Sequence, residues 1–580
     1  MCGIAGILGD YKDLQLDAML TSQHHRGPDA TGKYDDVGFA TFGHNRLAII
    51  DLSVQANQPF IDASGRYVLV FNGEIYNYIE LKAELRDRYD FKTESDTEVL
   101  LAAFIAYGTR CLQKLNGMFA FAIWDNQDKK MFAGRDRFGV KPFYYSISNN
   151  SFYFSSEIKA LHAAGVSKEP NEKVWASYFV YGSYGNLNET FWESISQLPG
   201  GHFLEYENHN LTIKKWYCFE EEVAKQPKNR TYKQAKEQYV CLLKDSINLR
   251  FRADVPVGFN ISGGLDSSVL LAMVNLQKKG NNHGELVEEC HPLINAYTFY
   301  TNNPDYDELP WVESMICKTT NPLTKVLLKA DEVPFFAEKM AFQQEEPYGG
   351  IPTLAYAKIF EQARKDKVLV LLDGQGMDEQ WAGYDYYTQE NDAIIQGVID
   401  SPFKTNILSD FFLAKAEKPS YPKPFEDEVL NKQYRDLFYT KIPRALRFND
   451  RVSMAYSTEL REPFLDYRLV EFAFSLPLDF KIKNGVSKFM LREIASQYLA
   501  EDLVFAPKRA LQTPQREWLA VDLKEWVSQC FVEIANSSYS NWFDKEFLDK
   551  ELKSYFDGNI QSSFHIWQGI SLYEILKLMD

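Results

Sequence analysis

A cysteine in second position, Met1-Cys2-Gly3, becomes an amino-terminal residue once Met1 is removed, and then carries a thiol and a free α-amine together. Reference pKa values of about 8.5 for the thiol and 7.7–8.0 for the amine let the amine take the proton of its own nucleophile, so no separate histidine is needed. Taken alone, Cys2 also fits a small buried hydrophobe. Asn72-Gly73-Glu74 follows the apolar stretch Tyr67 to Phe71 and sets a side-chain amide beside a backbone N–H at a strand end. Two such donors are what a developing oxyanion needs. Arg46, in His44-Asn45-Arg46-Leu47-Ala48-Ile49-Ile50, offers a planar fork to a substrate carboxylate. Asp96 offers a carboxylate to a substrate ammonium, or caps a helix. Thiol, carboxylate site and ammonium site together describe a free amino acid with a reactive side-chain carbonyl.

A second set lies far downstream. Ser262-Gly263-Gly264-Leu265-Asp266-Ser267 joins an apolar strand to a helical stretch, and its glycines and hydroxyls suit an anion cradle. Asp266 inside such a cradle repels phosphate unless a cation bridges them. Asp378, in Gly374-Gln375-Gly376-Met377-Asp378-Glu379, follows a second strand of the same texture. Two acids at the ends of neighbouring parallel strands suit Mg²⁺-pyrophosphate, though Asp378 also reads as a helix cap. Lys488, in Ser487-Lys488-Phe489-Met490-Leu491-Arg492, reads unaided as a solvated helix residue. Gly27-Pro28-Asp29-Ala30-Thr31-Gly32-Lys33 has the spacing of a Walker A loop but ends in Tyr34, and Pro28 removes a needed N–H.

The elements that must hold these residues divide the chain. Short strands alternate with Gly, Asn and Asp turns up to about residue 205: Phe39 to Gly43, Tyr67 to Phe71, Met118 to Trp124, Phe152 to Phe154. Glu80 to Arg88 and Thr97 to Tyr107 read as helices. A charged stretch from Glu220 to Tyr239 enters a helix, after which strand and helix alternate as in a covered parallel sheet. Val255 to Ile261 and Lys367 to Leu372 are its strands; from about Asp427 helices dominate. A length of 580 residues fits two to four domains at roughly 100–200 each, and the main boundary falls between 205 and 230. With 63 basic and 80 acidic residues the net charge is −17, which argues against nucleic acid or an anionic membrane as partner. Seven widely spaced cysteines without a CxxC pair point to a reducing compartment. The N-terminus lacks a signal-peptide pattern, and a cytoplasmic location is expected.

The segments Met1 to Gly6, His25-Arg26-Gly27-Pro28-Asp29, Asn72 to Asn77 and Gly134-Arg135-Asp136-Arg137-Phe138-Gly139 resemble the glutaminase domain of class II glutamine amidotransferases. The resemblance implies an αββα sandwich of the N-terminal-nucleophile hydrolase type. It makes Cys2 the nucleophile, Asn72 and Gly73 the oxyanion hole, and Arg46, Leu47, Ala48, Ile49, Ile50, Glu74 and Asp96 glutamine contacts. The Ser262–Ser267 loop resembles that of the ATP-pyrophosphatase fold, a doubly wound parallel sheet. Leu446 to Met454, Glu462 to Asp466 and the lysine before Leu491-Arg492 resemble glutamine-dependent asparagine synthetases, so the likeness spans nearly the whole chain. That family implies a glutaminase domain over 1–210 and an amidation domain with extra helices over 211–580. It makes Asn260, Ser262, Gly263, Gly264, Asp266, Ser267, Phe299, Asp373 and Gly374 ATP contacts, Asp266 and Asp378 the Mg²⁺ ligands, and Lys488 the cation that stabilises adenylation.

Two positions depart from the family. Asp373-Gly374-Gln375-Gly376 stands where asparagine synthetases usually carry Ser-Gly-Glu-Gly, so Gln375 occupies a catalytic position without its charge. Asn260 is polar where an aliphatic residue against adenine is expected. The resulting expectation is ATP- and glutamine-dependent amidation of a carboxylate through an acyl-adenylate, with aspartate as default acceptor. Its rivals are another carboxylate, such as a cell-wall amino acid or polysaccharide sugar acid, and a catalytically silent regulatory or storage homologue. A homodimer is compatible with the family likeness.

Overall fold

Side-chain alternation decides the N-terminal half. Along the strand Tyr67–Ile75, Val68 and Val70 join one buried cluster while Leu69 and Phe71 join another, so both faces of the strand are covered. The computed structural model describes residues 2–279, 294–389, 402–506 and 513–579. One sheet runs, edge to edge, Ser196–Gln197, Tyr144–Ser148, Ser151–Ser155, Gly3–Leu8, Ala40–Arg46, Ala30–Asp36. The other runs Asn210–Lys215, His202–Glu207, Lys130–Arg135, Gly117–Asp125, Tyr67–Ile75, Phe60–Ile61. The pairings are antiparallel throughout.

Ile4, Phe42, Val70 and Ala122 fill the space between the two sheets. The outer face of the second sheet packs on the helices Tyr78–Leu85 and Asp96–Tyr107, and that of the first on Asp13–Ser22 and Ile158–Ala163. The layers are helix, sheet, sheet, helix. The Walker-like segment runs into the strand Ala30–Asp36 and feeds no helix. The strand Asn210–Lys215 continues the second sheet beyond residue 210.

The charged stretch after residue 218 is two helices, Phe219–Lys225 and Tyr232–Arg250. The second starts at Thr231, whose hydroxyl accepts from the Gln234 N–H while Gln234 reaches back to the Thr231 N–H. A five-stranded parallel sheet follows, ordered Leu323–Leu327, Ala296–Tyr300, Val257–Asn260, Val370–Leu372, Glu459–Arg461. Its last strand lies inside the region the sequence reads as helical; at three residues it is too short to leave a periodic signal. The strand order reverses between Val257–Asn260 and Val370–Leu372, and the chain leaves both strands toward the same side. Such a switch point opens a crevice at the carboxyl ends of the strands. Both motif loops, Ser262–Ser267 and Asp373–Asp378, stand there.

The two halves share buried surface. Leu47, Ile49, Tyr76 and Met118 pack in one cluster with Val370, Leu446, Met454 and Leu465. The described cysteines are free thiols, and Cys290 lies outside the described residues.

Candidate active sites

Cys2 leads into the strand Gly3–Leu8 and is buried. Its N–H donates to Asn72 Oδ1 at 3.0 Å, its carbonyl accepts from Arg26 Nε at 3.0 Å, and its thiol lies 3.9 Å from the Leu47 carbonyl. Burial pushes the thiol pKa up, so the resting group is protonated and needs a base before it can attack. Met1 lies outside the described residues.

Asn72 and Gly73 sit within the strand Tyr67–Ile75 rather than past its end, because pairing with Gly117–Asp125 continues through Ile75. The Asn72 Nδ2 is buried and has no hydrogen-bond partner among the described residues. A buried amide donor left open beside a thiol is equipment for an oxygen that arrives with the substrate. Gly73 has φ +152°, and a Cβ there would lie 2.1 Å from the Met118 carbonyl oxygen, so glycine alone fits.

Arg46 ends the strand Ala40–Arg46 and spends its terminal nitrogens on the next loop: Nη1 on the Ser53 carbonyl (2.7 Å) and Asn57 Oδ1 (2.8 Å), Nη2 on the Ile50 and Asp51 carbonyls. The loop Leu47 to Ile50 is pinned further by Ala48 N–H to Asp29 and by the Asp254 N–H to the Ile49 carbonyl. Glu74 is buried, with Oε1 3.6 Å from Arg461 Nη2 and Oε2 without a partner. Burial first, then Glu459 and Asp96, raise its pKa. Asp96 is the first residue of its helix and accepts the Ile75 N–H at 2.9 Å; burial pushes it up to about 6. The capping role open to Asp96 belongs instead to Ser95, whose hydroxyl accepts from the Glu98 N–H.

In the second site the two loops line one cavity of about 210 Å3 with Lys488, Arg492, Trp311 and Tyr356. Gly374 packs so closely on the first loop that a Cβ would lie 3.0 Å from the Ser267 nitrogen. Ser267 Oγ braces the cradle, donating to the Ser262 carbonyl at 2.8 Å and accepting from the Ser262 N–H at 3.2 Å. The Gly263 N–H donates to Glu308 Oε2.

Lys488 is not a solvated helix residue. It is 5% exposed, adopts φ +55° at the start of the helix Phe489–Ala495, and its Nζ lies 2.6 Å from both Asp266 oxygens and 2.6 Å from Asp378 Oδ1. Burial alone would lower its pKa; the two carboxylates outweigh that and raise it. The Asp378 carboxylate is therefore engaged at the cavity and does not cap the helix Met377–Gln380, for which no side-chain cap bond forms. Two hard oxygen donors converge on one cationic centre, a donor set that suits Mg²⁺ completed by phosphate oxygens or water.

Asn260 donates its amide to Asp373 Oδ2 at 3.0 Å, and burial pushes that acid up to about 6. Asn260 and Phe299 line a smaller adjoining cavity that shares Ser262 and Tyr356 with the main one. Gln375 lines the main cavity itself. Sequence reasoning missed Arg461 and Glu459, which approach Glu74 from the other half of the chain, and the role of Arg26, although Arg26 stands inside a quoted motif.

Residues 1–217 match the family model described as a glutamine amidotransferase domain, and residues 239–577 match that of asparagine synthase. Asparagine synthetase [glutamine-hydrolyzing] 1 of Bacillus subtilis is 28% identical to the chain, covering 98% of it and 95% of the relative. The putative asparagine synthetase [glutamine-hydrolyzing] 2 of Methanocaldococcus jannaschii is 32% identical over 66% of the chain and 76% of its own length. Amidase chry2 of Gibberella zeae is 27% identical over 93% of each.

Proposed function

The chain belongs to the asparagine synthase family and is a glutamine-dependent ligase, and from that premise we propose that it converts L-aspartate to L-asparagine with release of AMP and pyrophosphate. In this reading residues 1–210 form a glutaminase unit of the N-terminal-nucleophile type and residues 211–580 an ATP-pyrophosphatase-type unit, a division supported by the second sheet's last strand ending at Lys215. Cys2, with its α-amine as base, attacks the glutamine amide carbon. The open Asn72 Nδ2 and the Gly73 N–H receive the oxyanion, ammonia leaves, and water hydrolyses the thioester. Arg46 and the 47–50 segment face the substrate carboxylate; Glu74 and Asp96 face its ammonium.

At the second site the Ser262–Ser267 cradle takes the ATP phosphates. The acceptor carboxylate attacks the α-phosphorus, pyrophosphate departs, and ammonia displaces AMP from the acyl-adenylate. Lys488 sits where the negative charge of the departing pyrophosphate gathers. Asp266 and Asp378 would hold Mg²⁺, which when bound neutralises pyrophosphate charge. No described helix is long and apolar enough to cross a membrane. The seven widely spaced cysteines without a CxxC pair support a reducing, cytoplasmic setting for the reaction.

The observation that carries this reading is the buried Lys488 ammonium clamped between Asp266 and Asp378 where the parallel strand order reverses. A second reading, the same chemistry on another carboxylate, draws on Gln375: a neutral amide in the cavity wall donates as well as accepts, and so can hold an acceptor carboxylate directly. Pyrophosphate release across a panel of carboxylates with ATP and ammonium decides between them. Aspartate should be the best acceptor, and Gln375→Glu should leave its turnover intact or higher. Poor turnover with aspartate, and loss on Gln375→Glu with a different acceptor, would favour the second reading.

A further inference from the structure

The two halves of the chain enclose a further cavity of about 110 Å3. The N-terminal half contributes the segment from Arg135 to Tyr144 and the turn around Tyr184; the C-terminal half contributes Tyr439 and the helix Lys441–Met454. Five guanidinium groups line it, those of Arg135, Arg137, Arg444, Arg447 and Arg451, against three carboxylates. In a chain of net charge −17 that excess is local and not a property of the whole surface.

Each carboxylate is already committed. Glu189 pairs with Lys173, Glu346 with Arg447 and the Phe191 N–H, and Asp450 with Arg26. The guanidinium groups are only partly matched: Arg447 pairs with Glu346 and Arg451 with Glu157 and Glu345, while Arg135, Arg137 and Arg444 make no ion pair among the described residues. The Nε–H groups of Arg137, Arg447 and Arg451 are buried and make no hydrogen bond among the described residues. Arg135 donates only to neutral oxygens, the carbonyls of Gly139, Lys141 and Leu198 and the Gln197 amide. Arg444 lies over the Tyr184 ring at 5.6 Å and makes no ion pair among the described residues, and Arg447 packs on the same ring at 4.9 Å. Arg135 and Arg137 are buried without an ion pair among the described residues, and the open Nε–H donors lack acceptors; both are unfavourable, and one anion relieves both.

We propose that this inter-domain cavity is a binding site for a small dianion, a phosphate or a short dicarboxylate, held by Arg444 together with Arg447 and Arg451. Guanidinium forks match the paired oxygens of either group, and the volume admits a ligand of a few heavy atoms, too small for a nucleotide. The site is distinct from the ATP cavity, with which it shares no lining residue.

Titration calorimetry on the full chain with inorganic phosphate and, separately, succinate tests this. Wild type should bind at least one probe saturably, Lys488→Met should retain that binding although its ATP cavity is altered, and Arg444→Gln should weaken it about tenfold or more. Arg444→Lys, which keeps the charge and loses the fork, should fall between. Arg444 makes no ion pair among the described residues, so Arg444→Gln should melt like wild type without probe. Saturable phosphate binding identifies an oxyanion site and succinate binding alone a dicarboxylate site. No saturable binding of either probe, or equal affinity in Arg444→Gln, or loss of binding in Lys488→Met alone, would overturn the assignment.

Discussion

Arg461 Nη2 lies 3.6 Å from Glu74 Oε1, so the final residue of the parallel sheet's edge strand reaches a carboxylate of the N-terminal half beside Cys2 and Asn72. The same guanidinium pairs with Glu459 through Nε and donates from Nη1 to the Arg250 and Arg252 carbonyls at 2.8 Å. Arg461, Glu74 and Glu459 are all buried. One cation thus lies between a carboxyl group from each half at their seam.

Arg461→Met removes the main cation that holds the buried Glu459 carboxylate ionised, which should cost about 3–5 kcal/mol. Urea unfolding measures it directly. Adding Glu459→Gln should recover part of the loss, because the carboxylate that Arg461 stabilised is then gone. A stability unchanged within error would mean that water already reaches these acids.

Asp96 gives the glutaminase site a pH dependence with a definite sign. Its folded pKa, pushed up by burial to about 6, exceeds the ordinary value of 3.8. The folded state therefore holds this proton more tightly, and the contribution to stability is lost as pH rises from 3.8 through about 6. Binding runs the other way, since only the ionised carboxylate attracts the ammonium of glutamine. The KM for glutamine should fall as pH rises through about 6, and Asp96→Asn should show a high KM with that limb missing. A wild-type KM that is flat between pH 5 and 8 would remove Asp96 from the ammonium site.

Gly383 marks how tightly the second site is built. A Cβ there would lie 2.0 Å from Asp378 Oδ1 and 2.3 Å from Lys488 Cε. Gly383→Ala must displace the clamp, so ATP-dependent pyrophosphate release should fall by about tenfold or more, the effect of roughly 1.4 kcal/mol. Glutamine hydrolysis, assayed on the same preparation, should change little.

The parts of this arrangement legible in the sequence are those written in consecutive residues. A strand, a glycine-rich turn and an acid in sequence announce the two loops at the switch point, and Cys2 announces itself by position. What local pattern does not encode is which distant side chain closes each site. Lys488 reads as a surface helix residue because its burial depends on Asp266 and Asp378, more than 100 residues upstream. Arg461 reads as one charge among several in Glu459-Leu460-Arg461-Glu462, and only the packing of the two halves brings it to Glu74. Asn260 departs from the aliphatic residue expected against adenine, and the fold shows its amide holding Asp373 instead. Asp96 and Ser95 are adjacent, and either fits a cap; the geometry gives the cap to Ser95 and frees Asp96 for the Ile75 N–H.

The central claim is that one chain carries two separate chemistries, with Cys2 needed only to make ammonia. Asparagine formation from aspartate and ATP, measured with glutamine and then with ammonium as nitrogen source, tests it in wild type and Cys2→Ala. The account expects wild type to use both sources, and Cys2→Ala to lose the glutamine-dependent reaction while keeping the ammonium-dependent one near wild-type turnover. Loss of both reactions in a folded Cys2→Ala protein, or asparagine from neither source in wild type, would contradict it.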